Sequence, residues 1–355
     1  MNLEETISRI PPLDREVMEA AEARQSHLTK PAGALGRLEE LSILLAGITG
    51  SSRPRFSERT LVVAAASHGV TEEVVSAYPT SVTEQMVHNI LGGGAAINVL
   101  ANAAGARLVA VDVGVSPAPQ PHPELRRVRL APGTRNMLRE PTMPREHAQQ
   151  IVESGIMLAE ELADYGTTLL GLGDMGIGNT TAAAAIVAAI TGAPVEQATG
   201  RGTMIGDAVL RNKRAVISDA LGRHRPDPED ALGVLGKVGG YEIGFLAGCC
   251  LGAAAHRIPV ILDGLPVVSA AVLADRLAPA VRSFMIAGHR SAEPGQHVAL
   301  RHLGLEPLLD LGMRLGEGSG AALAMPLVVA AARTLDEMAT FGEAGVDEES
   351  DAGQG

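Results

Sequence analysis

The chain has no tryptophan, and aromatic residues make up only 2% of its 355 positions. A core built on stacked rings is excluded. Hydrophobic residues still reach 46%, so the interior must be aliphatic and alanine-rich, with backbones packed close together. Cysteine is almost absent. Cys249 and Cys250 are adjacent in an Ala/Gly/Leu run. Such a pair cannot build a disulfide framework or a zinc site, and reads as small buried hydrophobes in a reduced cytoplasm. Long apolar runs are missing too. Ile243 to Ala255 is short and glycine-rich, which predicts a buried helix rather than a membrane span. The acidic first residues lack the basic start of a signal peptide. Cations are scarce, 29 Lys+Arg against 41 Asp+Glu, for a net charge of -12. That argues against nucleic-acid or anionic-membrane partners, and an anionic substrate would need a local positive site. No HExxH or paired Cys/His spacing occurs, so no metal is expected. No G-x-S-x-G nucleophile elbow occurs either.

What the chain has is glycine (41) and proline (21), spread along its length. Residues 1–50 read as helical, broken at Pro11-Pro12 and Pro31, with a linker at Arg53-Pro54-Arg55. From residue 60, short aliphatic runs closed by glycine or polar residues predict buried strands at Leu61–Ala66, Arg107–Val113, Thr167–Leu172, Pro259–Asp263 and Ser283–Ile286. Helices are predicted at Thr83–Asn102, His147–Tyr165, Asn179–Thr191, Ala208–Arg223 and Tyr241–Ala255, with another helical stretch at Leu305–Met338. Alternating strands and helices imply an α/β fold, a parallel sheet covered on both faces. Ligands in such sheets bind at the carboxyl ends of the strands. The acidic, glycine-containing tail after Phe341 reads as disordered.

Three segments carry chemistry. In Leu315-Gly316-Glu317-Gly318 one carboxylate sits between two glycines in an apolar stretch. Glycine lets a ligand approach the backbone, and apolar neighbours raise a carboxylate's pKa and make it a better base. In Gly173-Asp174-Met175-Gly176-Ile177-Gly178-Asn179-Thr180 a strand enters a glycine loop and then a helix, a place where anions bind. A tight strand-to-helix turn would look the same. The second glycine loop, Gly200-Arg201-Gly202, is followed by Arg211, Lys213 and Arg214, a basic cluster in an acidic chain. Lys213 can bind a phosphate as a point charge; a solvated helix face is the alternative. Ser67-His68, Asp263-Gly264 and the Gly288–Gly295 loop close other strands.

These blocks occur in order with Leu28–Glu39, Tyr78-Pro79, Val82–Val87, Gly93–Leu100, Gly133–Met137 and Lys237–Gly240. Together the chain resembles the nicotinate-nucleotide–dimethylbenzimidazole phosphoribosyltransferase family over nearly its whole length. The resemblance implies transfer of the 5-phosphoribosyl group of nicotinate mononucleotide to 5,6-dimethylbenzimidazole, with α-ribazole 5′-phosphate and nicotinate as products, in cobalamin nucleotide-loop synthesis. It implies Glu317 as general base with Asp174 in support. It places the donor on Gly176, Ile177, Gly178, Asn179, Thr180, Gly200, Arg201, Gly202 and Lys213, and the acceptor on Tyr78, Met86, Met175, Leu315 and Gly316. No cofactor and no metal is implied.

By the same resemblance the fold has a Rossmann-like large domain and a smaller helical domain built from both chain ends, and the protein is a cytoplasmic homodimer. The expected division is 1–55 in the small domain, 60–290 in the large one, 291–341 returning to the small domain with the Glu317 loop, and 342–355 as tail. Ser67, Asp174 and Gly206 depart from the family's commonest pattern, which has carboxylates at the first position and at 206, and Glu at 174. Alternatives are a same-fold transferase for adenine or a phenol, and a non-catalytic nucleotide-binding relative. A dehydrogenase lacks its full fingerprint here.

Overall fold

A computed structural model describes residues 2–347. Six strands form one parallel sheet: β1 (Arg59–Ala66), β2 (Arg107–Gly114), β3 (Leu125–Arg127), β4 (Leu169–Met175), β5 (Val260–Leu262) and β6 (Met285–Ala287). Their spatial order is β3-β2-β1-β4-β5-β6, and every pairing is parallel. This is the doubly wound order, in which the winding direction reverses between β1 and β4. The aliphatic runs explain the strands: Leu61 to Ala66 and Leu169 to Leu172 are buried without alternation, as in a sheet covered on both faces. β3 escaped sequence reading because it is three residues long and only Leu125 is buried.

The helices that cover the sheet show how a core with few aromatics is filled. Helix Tyr241–Ala255 is buried from Tyr241 to Ala254 and packs on helix Arg145–Asp164 and on the sheet. Glycines set the approach. A Cβ on Gly155 would collide with the Phe245 carbonyl oxygen, and one on Gly248 with that of Val152. Cys249 and Cys250 are free and buried in the same helix. No helix among the described residues is long and apolar enough to cross a membrane.

Several elements differ from expectation. The stretch Thr83–Asn102 is two helices, Ser81–Leu91 and Ala96–Ala103, parted where Gly93 takes φ +78°. Helix Leu265–Leu277 was not read, because its buried residues run unbroken from Leu265 to Asp275 and leave no 3.6-residue rhythm. Residues 305–318 are not helical; Gly312, Gly316 and Gly318 all adopt positive φ, and the helix begins only at Ser319. Phe341–Ala344 is a short helix capped by Thr340 rather than tail. The expected disorder from residue 348 onward lies outside the described residues.

Two compact units emerge. The larger holds Glu58–Met325 with the chain start up to Pro11; the smaller runs Pro12–Ser57 and continues from Pro326. The division differs from the expected one at both ends. Helix Leu3–Arg9 packs on the large unit's helices Arg145–Asp164 and Tyr241–Ala255. Residues 291–325, with the Glu317 loop, stay with the sheet, because Asp263 at the end of β5 binds the backbone of Gly318 and Gly320. The smaller unit is helical. Ala21, Ala46 and Leu335 form its core, Asp14 caps helix Arg15–His27, and Arg24 ties the Leu335 and Met338 carbonyls.

Gly155→Ala should lower the melting temperature. Overpacking a tight core costs about 1–3 kcal/mol, and each kcal/mol moves Tm by roughly 2–4 °C in a large domain. An unchanged Tm in scanning calorimetry would show that the two helices separate without cost.

Candidate active site

β1 and β4 diverge into loops at the switch point, and the carboxyl ends of β4, β5 and β6 meet there. Asp174 and Met175 end β4, Asp263 follows β5, and His289 follows β6. A cleft of about 790 Å³ opens above them. Its wall includes Asp174 and Met175, the loop Gly176 to Thr180, Gly202, Tyr78, and Leu315 with Gly316. These expected site residues, far apart in sequence, are therefore brought together. Glu317 directly follows the wall residue Gly316 and is buried, with only 5% relative exposure.

The Glu317 loop is shaped by close backbone contact. Glu317 has φ +62°, left-handed for a residue with a Cβ, a conformation that costs about 1–3 kcal/mol. Its N–H donates to the Asp174 carbonyl at 3.1 Å. Gly173 permits this, since a Cβ there would strike the Gly318 nitrogen and the Glu317 carbonyl. The backbone N–H of Ile97 donates to the Glu317 carboxylate, while Oε2 has no hydrogen-bond partner. Burial raises the Glu317 pKa, and the charge of Asp263 adds to the rise. Asp174 is pushed further, well above the usual carboxylate range, by burial and then by the charges of Asp263, Glu242 and Glu317. Asn179 Nδ2 donates to its Oδ2 at 2.7 Å, and Oδ1 is unpaired.

On the opposite side the loop from β4 enters helix Asn179–Thr191 through Gly178, at φ +95°. Thr180, on the wall, accepts a 2.8 Å hydrogen bond from Lys213 Nζ. Lys213 is the buried member of the basic cluster; Arg211 is exposed and Arg214 bonds the carbonyls of Glu196 and Thr199. Burial pushes the Lys213 pKa down to about 8, and the nearby Glu293 charge opposes that shift. Glu293 Oε1 in turn accepts the Gly202 N–H at 2.7 Å. Gly200 supports this group from below, where a Cβ would meet the Glu293 carboxylate.

Five expected residues do not themselves line the wall: Glu317, Lys213 and Gly200 adjoin wall residues, whereas Arg201 and Met86 stand apart. Arg201 is exposed, bonds the Ile205 carbonyl and pairs with Asp207. Met86 is half-buried on helix Ser81–Leu91 and does not line the wall. Conversely, His289, Ser291, Glu293, Met313 and Arg314 line it without having been selected. The signal for three of them was the mixed His/Arg/Glu loop closing a strand. Ser67 holds the Ser116 turn through its hydroxyl, and Gly206 is exposed. Among the described residues no group of His, Cys, Asp and Glu is arranged to hold a metal ion.

Fold and site define an α/β enzyme with a small-molecule cleft at a topological switch point. A phosphoribosyltransferase family model matches residues 10–346. The nicotinate-nucleotide–dimethylbenzimidazole phosphoribosyltransferase of Roseiflexus sp. (strain RS-1) is 58% identical over 97% of this chain and 98% of its own length. The protein of the same name from Geobacter sulfurreducens is 50% identical over 98% of each. Among solved structures, the crystal structure of CobT from Thermus thermophilus is similar at TM-score 0.91 and 48% identity, covering 94% of this chain and 100% of that one. The chain belongs to this phosphoribosyltransferase family.

Asp174→Asn should stabilise the protein at neutral pH. The folded pKa of Asp174 is raised, so its contribution is fully present below the unfolded value and is lost as pH rises toward the folded one. Asn removes that loss and still accepts from Asn179. Tm should rise at pH 7–8 by roughly 2–4 °C per kcal/mol recovered, and the gain should shrink toward pH 4. Equal melting of both proteins at neutral pH would show that the fold does not oppose the charge.

Proposed function

We propose that the chain transfers the 5-phosphoribosyl group of nicotinate mononucleotide to 5,6-dimethylbenzimidazole, giving α-ribazole 5′-phosphate and nicotinate. The observation that carries the catalytic assignment is the pair of buried acids whose surroundings raise their pKa values unequally. Asp174 is pushed furthest and Glu317 less. Burial and neighbouring charges hold the Asp174 proton more firmly, so the less perturbed acid, Glu317, serves as the base.

The chemistry follows. The imine nitrogen of the benzimidazole attacks C1′ of the ribose from the face opposite nicotinate. The C1′–N bond to the pyridinium breaks, and its electron pair neutralises the ring as nicotinate leaves. Attack from the opposite face converts the β-linkage to an α-linkage. As positive charge develops on the benzimidazole, its second nitrogen gives its proton to Glu317. Asp174 supports the base through its carbonyl and, with Asn179, borders the reacting centre. Helix Asn179–Thr191, Gly202 and Lys213 receive the phosphate. Tyr78, Met175, Leu315 and Gly316 face the flat acceptor. Tyr78 and Leu315 are each 55% exposed at the cleft mouth.

Met175, Met204 and Met313 all line the cleft, and unbranched thioethers repack around rings of different shape. That favours a broad acceptor range as a second reading, with adenine or a phenol among the acceptors. A homodimer and a cytoplasmic setting complete the proposal. Exposed Val74 and Leu311, outside the cleft wall, supply apolar surface for a second copy, and two free cysteines suit a reducing compartment. Incubation with nicotinate mononucleotide and a mixture of bases, read by mass, tests the reaction. No nicotinate release would overturn it.

Glu317→Gln should lower kcat by roughly 10²–10⁴-fold with donor binding retained. In the wild type, kcat should fall below a pH set by the raised Glu317 pKa, since the base must be ionised. A variant keeping more than about half of wild-type kcat would remove Glu317 from the role, given the size of base catalysis.

Lys213→Ala should raise donor KM by about 10- to 100-fold, the worth of a charge-assisted hydrogen bond. Wild-type KM should rise above pH about 8 as Lys213 loses its proton. Equal losses for nicotinate mononucleotide and its dephosphorylated nucleoside would show that Lys213 does not read the phosphate.

A further inference from the structure

Asp263 lies just past β5, fully buried, 55 residues from the loop it binds. Its Oδ2 accepts the Gly318 N–H at 2.9 Å and its Oδ1 the Gly320 N–H at 2.7 Å. These donors flank Ser319, where helix Ser319–Glu337 begins and amides have no partner within the helix. One carboxylate therefore fixes the backbone immediately after Glu317, whose own N–H is fixed to Asp174. Behind Asp263 stands His289, with Nε2 3.3 Å from Oδ1 and its ring packed where a Gly320 side chain would be. His289 also lines the cleft.

We propose that Asp263 is a positioning residue for the transfer: by clamping the Gly318 and Gly320 amides it aims the Glu317 carboxylate at the acceptor. This rests on the reading of Glu317 as the base. Around this frame stand Asp174 from β4, which feels the charges of Asp263, Glu242 and Glu317, and His289 from the loop after β6, which faces Asp263. The Ile97 amide reaches the Glu317 carboxylate from helix Ala96–Ala103. Asp263 is the member of this set that holds the loop with its carboxylate and whose charge raises the Glu317 pKa. Removing the charge should then change where the base titrates as well as how fast the enzyme turns over.

The test is kcat against pH, with nicotinate mononucleotide binding measured by calorimetry, for wild type, Asp263→Asn, Glu317→Gln and the double variant. Asp263→Asn should lose about 100-fold in kcat, the scale of a displaced catalytic group. It should keep donor binding and shift the acid limb to lower pH. The double variant should lose little beyond Glu317→Gln, because Asp263 acts through Glu317. Multiplying losses, an unmoved acid limb, or donor binding that falls in step with kcat would each overturn the proposal. If Asp263→Asn fails to fold, Asp263→Glu decides. Its charge remains but its arm is longer, so kcat should fall by about tenfold or more with the acid limb in place; wild-type kcat would overturn it. A fully active Glu317→Gln would instead sink the base assignment, and that result involves no change at Asp263.

Discussion

The left-handed backbone of Glu317 is the constraint around which the site is built. A residue with a Cβ does not hold φ +62° unless its neighbours enforce it. Here β4 comes within hydrogen-bonding distance because Gly173 has no side chain, and the Asp174 carbonyl takes the Glu317 amide. Gly316 and Gly318 supply the positive φ on either side. Asp263 completes the frame from β5. The same geometry explains why residues 305–318 do not continue as helix and why this loop travels with the sheet.

Burying so many acids at one sheet edge opposes stability and serves chemistry. Asp174, Glu242, Asp263 and Glu317 are all buried, and burial together with the neighbouring charges raises the proton affinity of Asp174 and Glu317. Asp263 is satisfied by two amides, whereas Asp174 and Glu317 each keep an oxygen unpaired. A fold under selection for stability alone would pair or replace such groups. Retaining them leaves Glu317 with an unpaired carboxylate oxygen, as the proposed base role asks, and the buried Glu242–His68 pair at 2.8 Å sits beneath Gly176.

Much of the architecture was legible from residue order. Helices Asn179–Thr191 and Tyr241–Ala255 have the boundaries read from the sequence, and five of the six strands were located. Legibility failed where the local signal was flat or absent: the uniformly apolar Leu265–Leu277, the three-residue β3, and the glycine-held loop before Ser319. At the site, Glu317 was legible because it stands alone between glycines. Lys213 stood out through its basic neighbours, yet what distinguishes it is burial beside Thr180. Asp263 and Glu293 carried too little signal to be chosen, since each acts across a long sequence separation, on Gly318 and Gly202. Such pairings leave no periodicity.

The composition ties these features together. With few aromatics, helices and strands meet through alanine and glycine, so backbones approach closely, and catalytic geometry is set by main-chain amides and carbonyls as much as by side chains. Gly155 and Gly248 do this for the core, and Gly173, Gly200 and Gly202 for the cleft. A net charge of -12 repels an anionic donor at long range, though screening limits that reach to about 10 Å at moderate salt. Attraction must then be local. At the cleft the positive groups are Arg314 on the wall, Lys213 buried behind Thr180, and the N-terminus of helix Asn179–Thr191. In the proposed reaction the phosphate would meet the helix N-terminus and Lys213, while the acceptor, as it becomes cationic, would meet the Glu317 loop.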